Sequence, residues 1–430
     1  MARRKSPVKL LLILLILVLG VFAITTFFEG KSSSSDESDS KIIATPTTPL
    51  KSSIRDHSER SSITPTSPST PSLADIAGIQ SPELNVKSWL VLDMESGQII
   101  AQFNPDLKVA PASLTKLMTS SLVFEALEDK RLNLDQEVIV SEKAWKTGGS
   151  RMFINVNDKV TISELLQGMV VQSGNDASIQ LAEAVSGTVD TFVTEMNESL
   201  QAFHMLNSHF ADPTGLPSPD TYTTARDLSV LAQHIIVDFP QYYHYFSQPE
   251  FTYGKIRQTN TNGLLGKIEG LDGLKTGHTD EAGYCLVTSV KRGNRRILTI
   301  LMGAESIKKR EQLSKQLIDW AFQNFVNVEY AKANEPFVEH KIRDAKGEKA
   351  VFQSTKPVVI TVPRGEEANI QVLSQISSDL KAPLTAGQAY SEVQFVLNGK
   401  FLKNEQLVLA HDVERVGFFK RLLNRVTSIF

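Results

Sequence analysis

A chain of 430 residues is longer than one compact core normally needs, so two folded units with appendages are expected. Hydrophobic residues make up 41% and charged residues 22%, an ordinary globular balance, and a net charge of −3 gives no reason to expect nucleic acid as a partner. The one cysteine, Cys285, excludes an intramolecular disulfide and a cysteine-based metal cluster; inside YCLVTSV it reads as a small buried hydrophobe.

The chain opens with Arg3, Arg4, Lys5 and Lys9, followed by LLLILLILVLGVFAITTFF at 10–28. A helix of this length nearly crosses a ~30 Å hydrocarbon core, and its basic flank belongs on the cytoplasmic side. Residues 1–30 therefore read either as a retained membrane anchor or as a signal peptide cut after Ala23; both export the remainder. Residues 31–80, beginning KSSSSDESDS and rich in Ser, Thr and Pro, read as a disordered linker, with order expected from about Pro82. VKSWLVLDMESGQIIAQFN reads as a hairpin turning at Glu95-Ser96-Gly97. After Pro111 an apolar stripe of Leu114, Leu117, Met118, Leu122 and Ala126 predicts a helix. Thr161-Ile162-Ser163-Glu164 has the form of a capping box and opens a helix to about Val171. Further helices are expected from Asp176 to Val185, from Ala225 to Ile236 and over 309–325. YCLVTSV and RRILTILMGA flank Gly293-Asn294, an antiparallel hairpin pattern. Strands at both ends with helices between them predict an α+β unit over 81–332, an antiparallel sheet with helices on both faces.

A small all-β domain is expected over 333–412, from KPVVITVPRG, SEVQFVLNGK and EQLVLAHDV, as a spacer or docking module. Over 413–430, Phe419, Leu422, Leu423, Val426 and Phe430 fall on one helical face, and Lys420, Arg421, Asn424 and Arg425 on another. This basic amphipathic pattern suits a helix lying on a membrane surface, the alternative being a helix docked on the β domain.

Chemistry centres on Ser113-Leu114-Thr115-Lys116. The Ser-x-x-Lys spacing also occurs at Ser6/Lys9, Ser38/Lys41, Ser306/Lys309 and Ser378/Lys381, so spacing alone decides nothing. Ser113 alone follows a proline at the start of a strongly patterned helix, where Ser113 and Lys116 share a face and a first-turn amide can meet an anion. A serine hydroxyl needs a base to act as a nucleophile, and a lysine serves when its surroundings keep it neutral. Ser173-Gly174-Asn175 falls in a break between two predicted helices. Lys-Thr-Gly occurs twice, at Lys146-Thr147-Gly148 and at Lys275-Thr276-Gly277; the second leads into a predicted strand and is the one chosen here.

In this order the segments resemble the low-molecular-weight penicillin-binding proteins that act as serine D-alanyl-D-alanine carboxypeptidases. The resemblance runs from about Pro82 to the C-terminus through PASLTKLMTS, LQGMVVQSGNDA, GKIRQTNTNGLL and GLKTGHTDEAGYCLV. It implies a β-lactamase/transpeptidase-like fold and needs no cofactor or metal. Ser113 would form the acyl-enzyme, Lys116 would take its proton, and Ser173 would pass one to the leaving D-alanine, with Asn175 orienting Lys116. Lys275 and Thr276 would hold the substrate carboxylate beside Gly277, and the amides of Ser113 and His278 would form an oxyanion hole. Arg257 would add positive charge near the carboxylate, and Asp176 reads as a helix cap. Burial and a cationic Lys275 would both lower the Lys116 pKa. Implied partners are peptidoglycan stem peptides, β-lactams as inhibitors and the outer face of the cytoplasmic membrane. A DD-endopeptidase and a β-lactamase are the rival activities; no Glu-x-x-Leu-Asn string follows Ser173, which argues against the second.

Overall fold

The computed structural model describes residues 40–42, 71–347, 349–377 and 379–417. The N-terminal apolar run, most of the linker and residues 418–430 lie outside them, and with them the anchor and membrane-surface expectations. No helix among the described residues is long and apolar enough to cross a membrane.

In chain order the first elements are β1 (Ser40–Ile42), α1 (Leu73–Ala77), β2 (Ser88–Asp93) and β3 (Ile99–Phe103). A 3-10 turn (Ala112–Thr115) runs directly into α2 (Lys116–Glu128). Then come β4 (Glu137–Ile139), α3 (Glu142–Lys146), β5 (Lys159–Thr161), α4 (Ile162–Val171), α5 (Asn175–Ser186), α6 (Val189–Ala202) and α7 (Ala225–Asp238). The hairpin β6 (Glu250–Tyr253) and β7 (Ile256–Thr259) precedes three long strands, β8 (Leu271–Thr279), β9 (Gly283–Arg292) and β10 (Arg295–Ala304), and then α8 (Ile307–Asn324). The C-terminal part contains β11 (Phe325–Ala331), β12 (Pro336–His340), β13 (Ala350–Gln353), β14 (Val358–Pro363), β15 (Ile370–Ile376), β16 (Ala389–Leu397) and β17 (Lys400–Leu409).

The central sheet is antiparallel with order β3-β2-β10-β9-β8, so β8 is an edge strand. Successive side chains of a strand point to opposite faces, which divides the apolar residues between two layers. Leu90, Leu92, Leu298, Ile300, Met302 and Val287 join the core of α2, α4, α5 and α7. Trp89, Val91, Ile297 and Leu301 join Leu317 and Ala321 of α8, while Leu286 and Val290 meet Ile318. Helices thus cover both faces, as expected from strands at both ends of the unit with helices between them. Cys285 is fully buried in the first layer.

Three features depart from the sequence reading. Within the linker, Leu73–Ala77 is helical, because Ser72 and Asp75 form a capping box and Leu73 and Ala74 bury into the second core. The averaged polar composition concealed this local signal. Also within the linker, β1 pairs antiparallel with β12. Finally, β11 lies before residue 333 but pairs with β14, because the chain passes from α8 straight into strand with no turn residues to mark the change.

The C-terminal strands form a six-stranded sheet of order β1-β12-β13-β17-β16-β15 beside the β11–β14 ribbon. The second core continues through Phe325, Ile360, Phe395 and Leu407, leaving no apolar gap between the two parts. A polar seam flanks it. Buried Asp93 accepts from Arg295 Nε at 2.7 Å and from Asn327 Nδ2 at 2.9 Å. Ser96 Oγ lies 2.6 Å from Thr361 Oγ1, Gln98 bonds both backbone groups of Thr361, and Lys403 Nζ donates to Ser96 O at 2.8 Å.

Candidate active site

Pro111 opens the 3-10 turn that carries Ser113, and Ala112 takes a left-handed φ of 50°, a costly conformation for a residue with a side chain. Edge strand β8 passes directly against this turn. A Cβ at Gly277 would sit 2.8 Å from Pro111 O and 3.2 Å from Ser113 N, so that approach requires glycine.

One turn on, Lys116 is 1% exposed. Its Nζ contacts Ser113 Oγ at 2.9 Å, Asn175 Oδ1 at 2.7 Å and Thr214 O at 2.7 Å. Burial lowers its pKa to about 7, against the opposing pull of Asp212 and Asp176. A neutral amine keeps two N–H donors and one lone pair. Asn175 Oδ1 and Thr214 O can accept the two donors, which leaves the lone pair for the Ser113 hydroxyl.

Asn175 begins α5 and is fixed by the preceding loop: its Nδ2 donates to Gly148 O at 2.8 Å and its amide to Ser150 O at 2.7 Å. Asp176, fully buried, is not the N-cap, although its Oδ1 accepts from Ala177 N in the first turn at 2.9 Å. The N-cap is Gly174, which has no side-chain hydrogen bond. Asp176 also accepts from the amides of Met152 at 3.0 Å and Phe153 at 2.9 Å, tying down the 152–154 segment. The expectation of a cap followed from its position beside the helix start; the competing amides belong to a loop more than twenty residues away, which local sequence cannot display.

Ser173 lies in the break between α4 and α5, again with a left-handed φ, of 64°. Lys275 Nζ on β8 donates to its Oγ at 2.9 Å and to Thr276 O at 3.1 Å. Lys275 is 1% exposed, and its pKa is lowered well below the usual lysine value by burial first, then by the charges of Lys116 and Arg310. Burial is the principal cause for both lysines. Thr276 Oγ1 lies 2.7 Å from Thr261 Oγ1. His278 is exposed, its ring stacked on Tyr284 at 3.9 Å.

Arg257 is not drawn into this cluster. It sits on the exposed β6–β7 hairpin, where its guanidinium pairs with Glu250. A cation that the sequence reading missed, Arg310 of α8, is 4% exposed and donates to Thr261 O at 3.3 Å, behind the Thr276 hydroxyl. It looks like any helical arginine in sequence, and only the packing of α8 on the sheet brings it there. Thr214 was missed too, because it acts through its backbone carbonyl. Asp212 Oδ1 holds that loop, accepting from Thr214 Oγ1 at 2.8 Å and Gly215 N at 2.7 Å; the string Asp-Pro-Thr-Gly was the available turn signal.

The competing motifs resolve structurally. Lys146 lies on exposed α3 and pairs with Glu142. Ser306 is the N-cap of α8, accepting from Lys309 N at 3.2 Å. Among the described residues no group of three His, Cys, Asp or Glu side chains could hold a metal ion.

Residues 76–306 match the family model described as D-alanyl-D-alanine carboxypeptidase, and residues 325–415 match that of the penicillin-binding protein 5 C-terminal domain. The chain is 36% identical over 351 residues to D-alanyl-D-alanine carboxypeptidase DacA of Haemophilus influenzae, covering 80% of this chain and 89% of that protein. It is 34% identical over 357 residues to DacA of Escherichia coli, covering 81% and 89%. Among solved structures, penicillin-binding protein 5 from Haemophilus influenzae aligns with a TM-score of 0.76 at 36% identity, over 79% of this chain and all of that one. Penicillin-binding protein 6B from Escherichia coli aligns with a TM-score of 0.65 at 32% identity, over 80% and 99%. With the serine–lysine cluster in place and both parts of the chain matched in order, this protein belongs to the D-alanyl-D-alanine carboxypeptidase family, the low-molecular-weight penicillin-binding proteins.

Proposed function

We propose that the protein removes the terminal D-alanine from peptidoglycan pentapeptide stems through an acyl-enzyme on Ser113. Neutral Lys116 accepts the Ser113 proton as the hydroxyl attacks the penultimate carbonyl. Ser173, held by Lys275, delivers a proton to the departing D-alanine amine and regains one from the Lys116 ammonium; water, deprotonated by neutral Lys116, then cleaves the Ser113 ester and frees the shortened stem. The Ser113 and His278 amides receive the oxyanion, a role in which a single donor is worth ~10²–10³ in rate. Lys275 and Thr276 take the substrate carboxylate, with buried Arg310 adding positive charge behind Thr276. β-Lactams acylate the same serine. The enzyme works outside the cytoplasmic membrane, associated with that surface through its C-terminal segment and, where the N-terminal run is retained, through that as well.

The observation that carries this reading is the pair of 2.9 Å contacts, Lys116 Nζ to Ser113 Oγ and Lys275 Nζ to Ser173 Oγ, in one buried cluster. Incubating the purified protein with a pentapeptide ending in D-Ala-D-Ala should release free D-alanine, and Ser113→Ala should release none. Release that persists in Ser113→Ala would sink the assignment. Rapid turnover of a good β-lactam, in place of slow deacylation, would favour a β-lactamase.

A further inference from the structure

The six-stranded sheet of the C-terminal domain has two edges apart from β1: the open side of β12 and the open side of β15. Residues 40–42 lie in register against the first, with Ser40 opposite His340, Lys41 opposite Glu339 and Ile42 opposite Val338. Cα atoms of the same segment come within 8 Å of β15. The sheet therefore curls until its two edges flank one narrow slot, and an extended piece of the linker occupies it. Unpaired edges present rows of N–H and C=O groups that template association with other chains, and filling them removes that hazard.

We propose that the slot between β12 and β15 is a strand-accepting surface whose occupant is this chain's own Ser40–Ile42, acting as a clasp. The thirty residues between Ile42 and Leu73 can span up to about 100 Å, so nothing in chain length opposes pairing within one molecule. Covalent linkage also gives the segment a local concentration that a separate copy lacks. The far end of that stretch is fixed where the two parts of the molecule meet: α1 packs on β3 and on β17, and Lys400 Nζ donates to Ile76 O at 2.9 Å. Residues 40–42 and 73–77 thus both touch the C-terminal sheet. Where the apolar run at 10–28 stays in the bilayer, a reading that rests on the proposed function, only residues 29–39 separate it in sequence from the clasp.

Cysteine pairs test the clasp in the full-length protein in detergent micelles, since Cys285 is buried and stays out of the reaction. In an antiparallel ladder adjacent partner pairs alternate between wide and narrow Cα spacing, and both spacings fall within the range that accepts a disulfide. Of Ser40→Cys/His340→Cys and Lys41→Cys/Glu339→Cys, at least one should therefore close into an intramolecular disulfide in most molecules on mild oxidation. Lys41→Cys/Asn398→Cys, with its second site in the β16–β17 turn, should not. At whichever of residues 40–42 the ladder holds the N–H, amide exchange in the parent should be at least tenfold slower than in a free peptide of the same sequence. Closure of neither pair above the control would overturn the proposal, and so would cross-linking that yields dimers at all dilutions. Exchange at the rate of a free peptide in the parent would overturn it as well. None of these readouts depends on catalysis, so they stand or fall apart from D-alanine release.

Discussion

The two Lys-Thr-Gly strings carry the same side chains into opposite surroundings. Lys146 ends an exposed five-residue helix beside Glu142, while Lys275 lies on an edge strand, 1% exposed and bonded to Ser173. Backbone state makes the difference. A strand places Lys275 and Thr276 along the cleft and lets Gly277 press against the Ser113 turn; the helix end leaves Lys146 in water, where an ion pair contributes little. The first string is not idle, because Gly148 O anchors the Asn175 amide that in turn meets Lys116. One copy supplies side chains to the site, and the other supplies a main-chain acceptor to its support.

That contrast can be broken or sharpened experimentally. The largest effect is expected at the base: Lys116→Ala and Lys116→Arg should each slow acylation by a labelled β-lactam by ~10²–10⁴, since arginine cannot give up its proton. Labelling at the parent rate in either would remove lysine as the base. Next comes Lys275→Ala, for which a loss of ~10²–10³ in kcat/KM on the pentapeptide is expected. An intact kcat/KM would dissolve the distinction between the two strings. The pH profile follows from the Lys116 pKa of about 7. The neutral form is the base, so kcat/KM should be level above that value and drop about tenfold per unit below it. A limb centred near the ordinary lysine pKa would mean the amine is not desolvated in solution.

Smaller effects belong to the first string and to the glycine that follows it. Gly149 has φ 81°, and a Cβ there would lie 2.6 Å from Asn175 Nδ2. Gly149→Ala should shift Asn175 and cost about tenfold in acylation rate, with strain of ~1–3 kcal/mol visible as a lower Tm. Lys146→Ala should change neither rate nor Tm measurably, surface substitutions of this kind staying within ~0.5 kcal/mol. A substantial rate loss there would show that the exposed lysine reaches the substrate.

Much of this was legible before any coordinates. Apolar alternation gave the β9–β10 hairpin about Gly293-Asn294, and the capping box at Thr161 gave the start of α4. Motif order brought out Ser113, Lys116, Ser173, Asn175 and Lys275, which the fold gathers into one cluster. The remainder was hidden for definite reasons. Thr214 contributes a carbonyl, and every residue has one. Arg310 reaches the site through the packing of α8, a contact between segments far apart in sequence. Arg257 carried the right charge in a promising string, yet the β6–β7 hairpin turns it toward Glu250. Asp176 sits where caps sit, and its carboxylate serves both its own first turn and the amides of another loop.

The seam of Asp93, Ser96, Gln98, Asn327, Thr361 and Lys403 has a directional meaning. With side chains interlocked above a shared apolar interior, the two parts of the molecule cannot swivel independently. Whatever angle the C-terminal sheet adopts against its surroundings is handed rigidly to the mouth of the cleft. The bearing from which a peptide can approach Ser113 is therefore set tens of residues away, by how the other half of the molecule is seated.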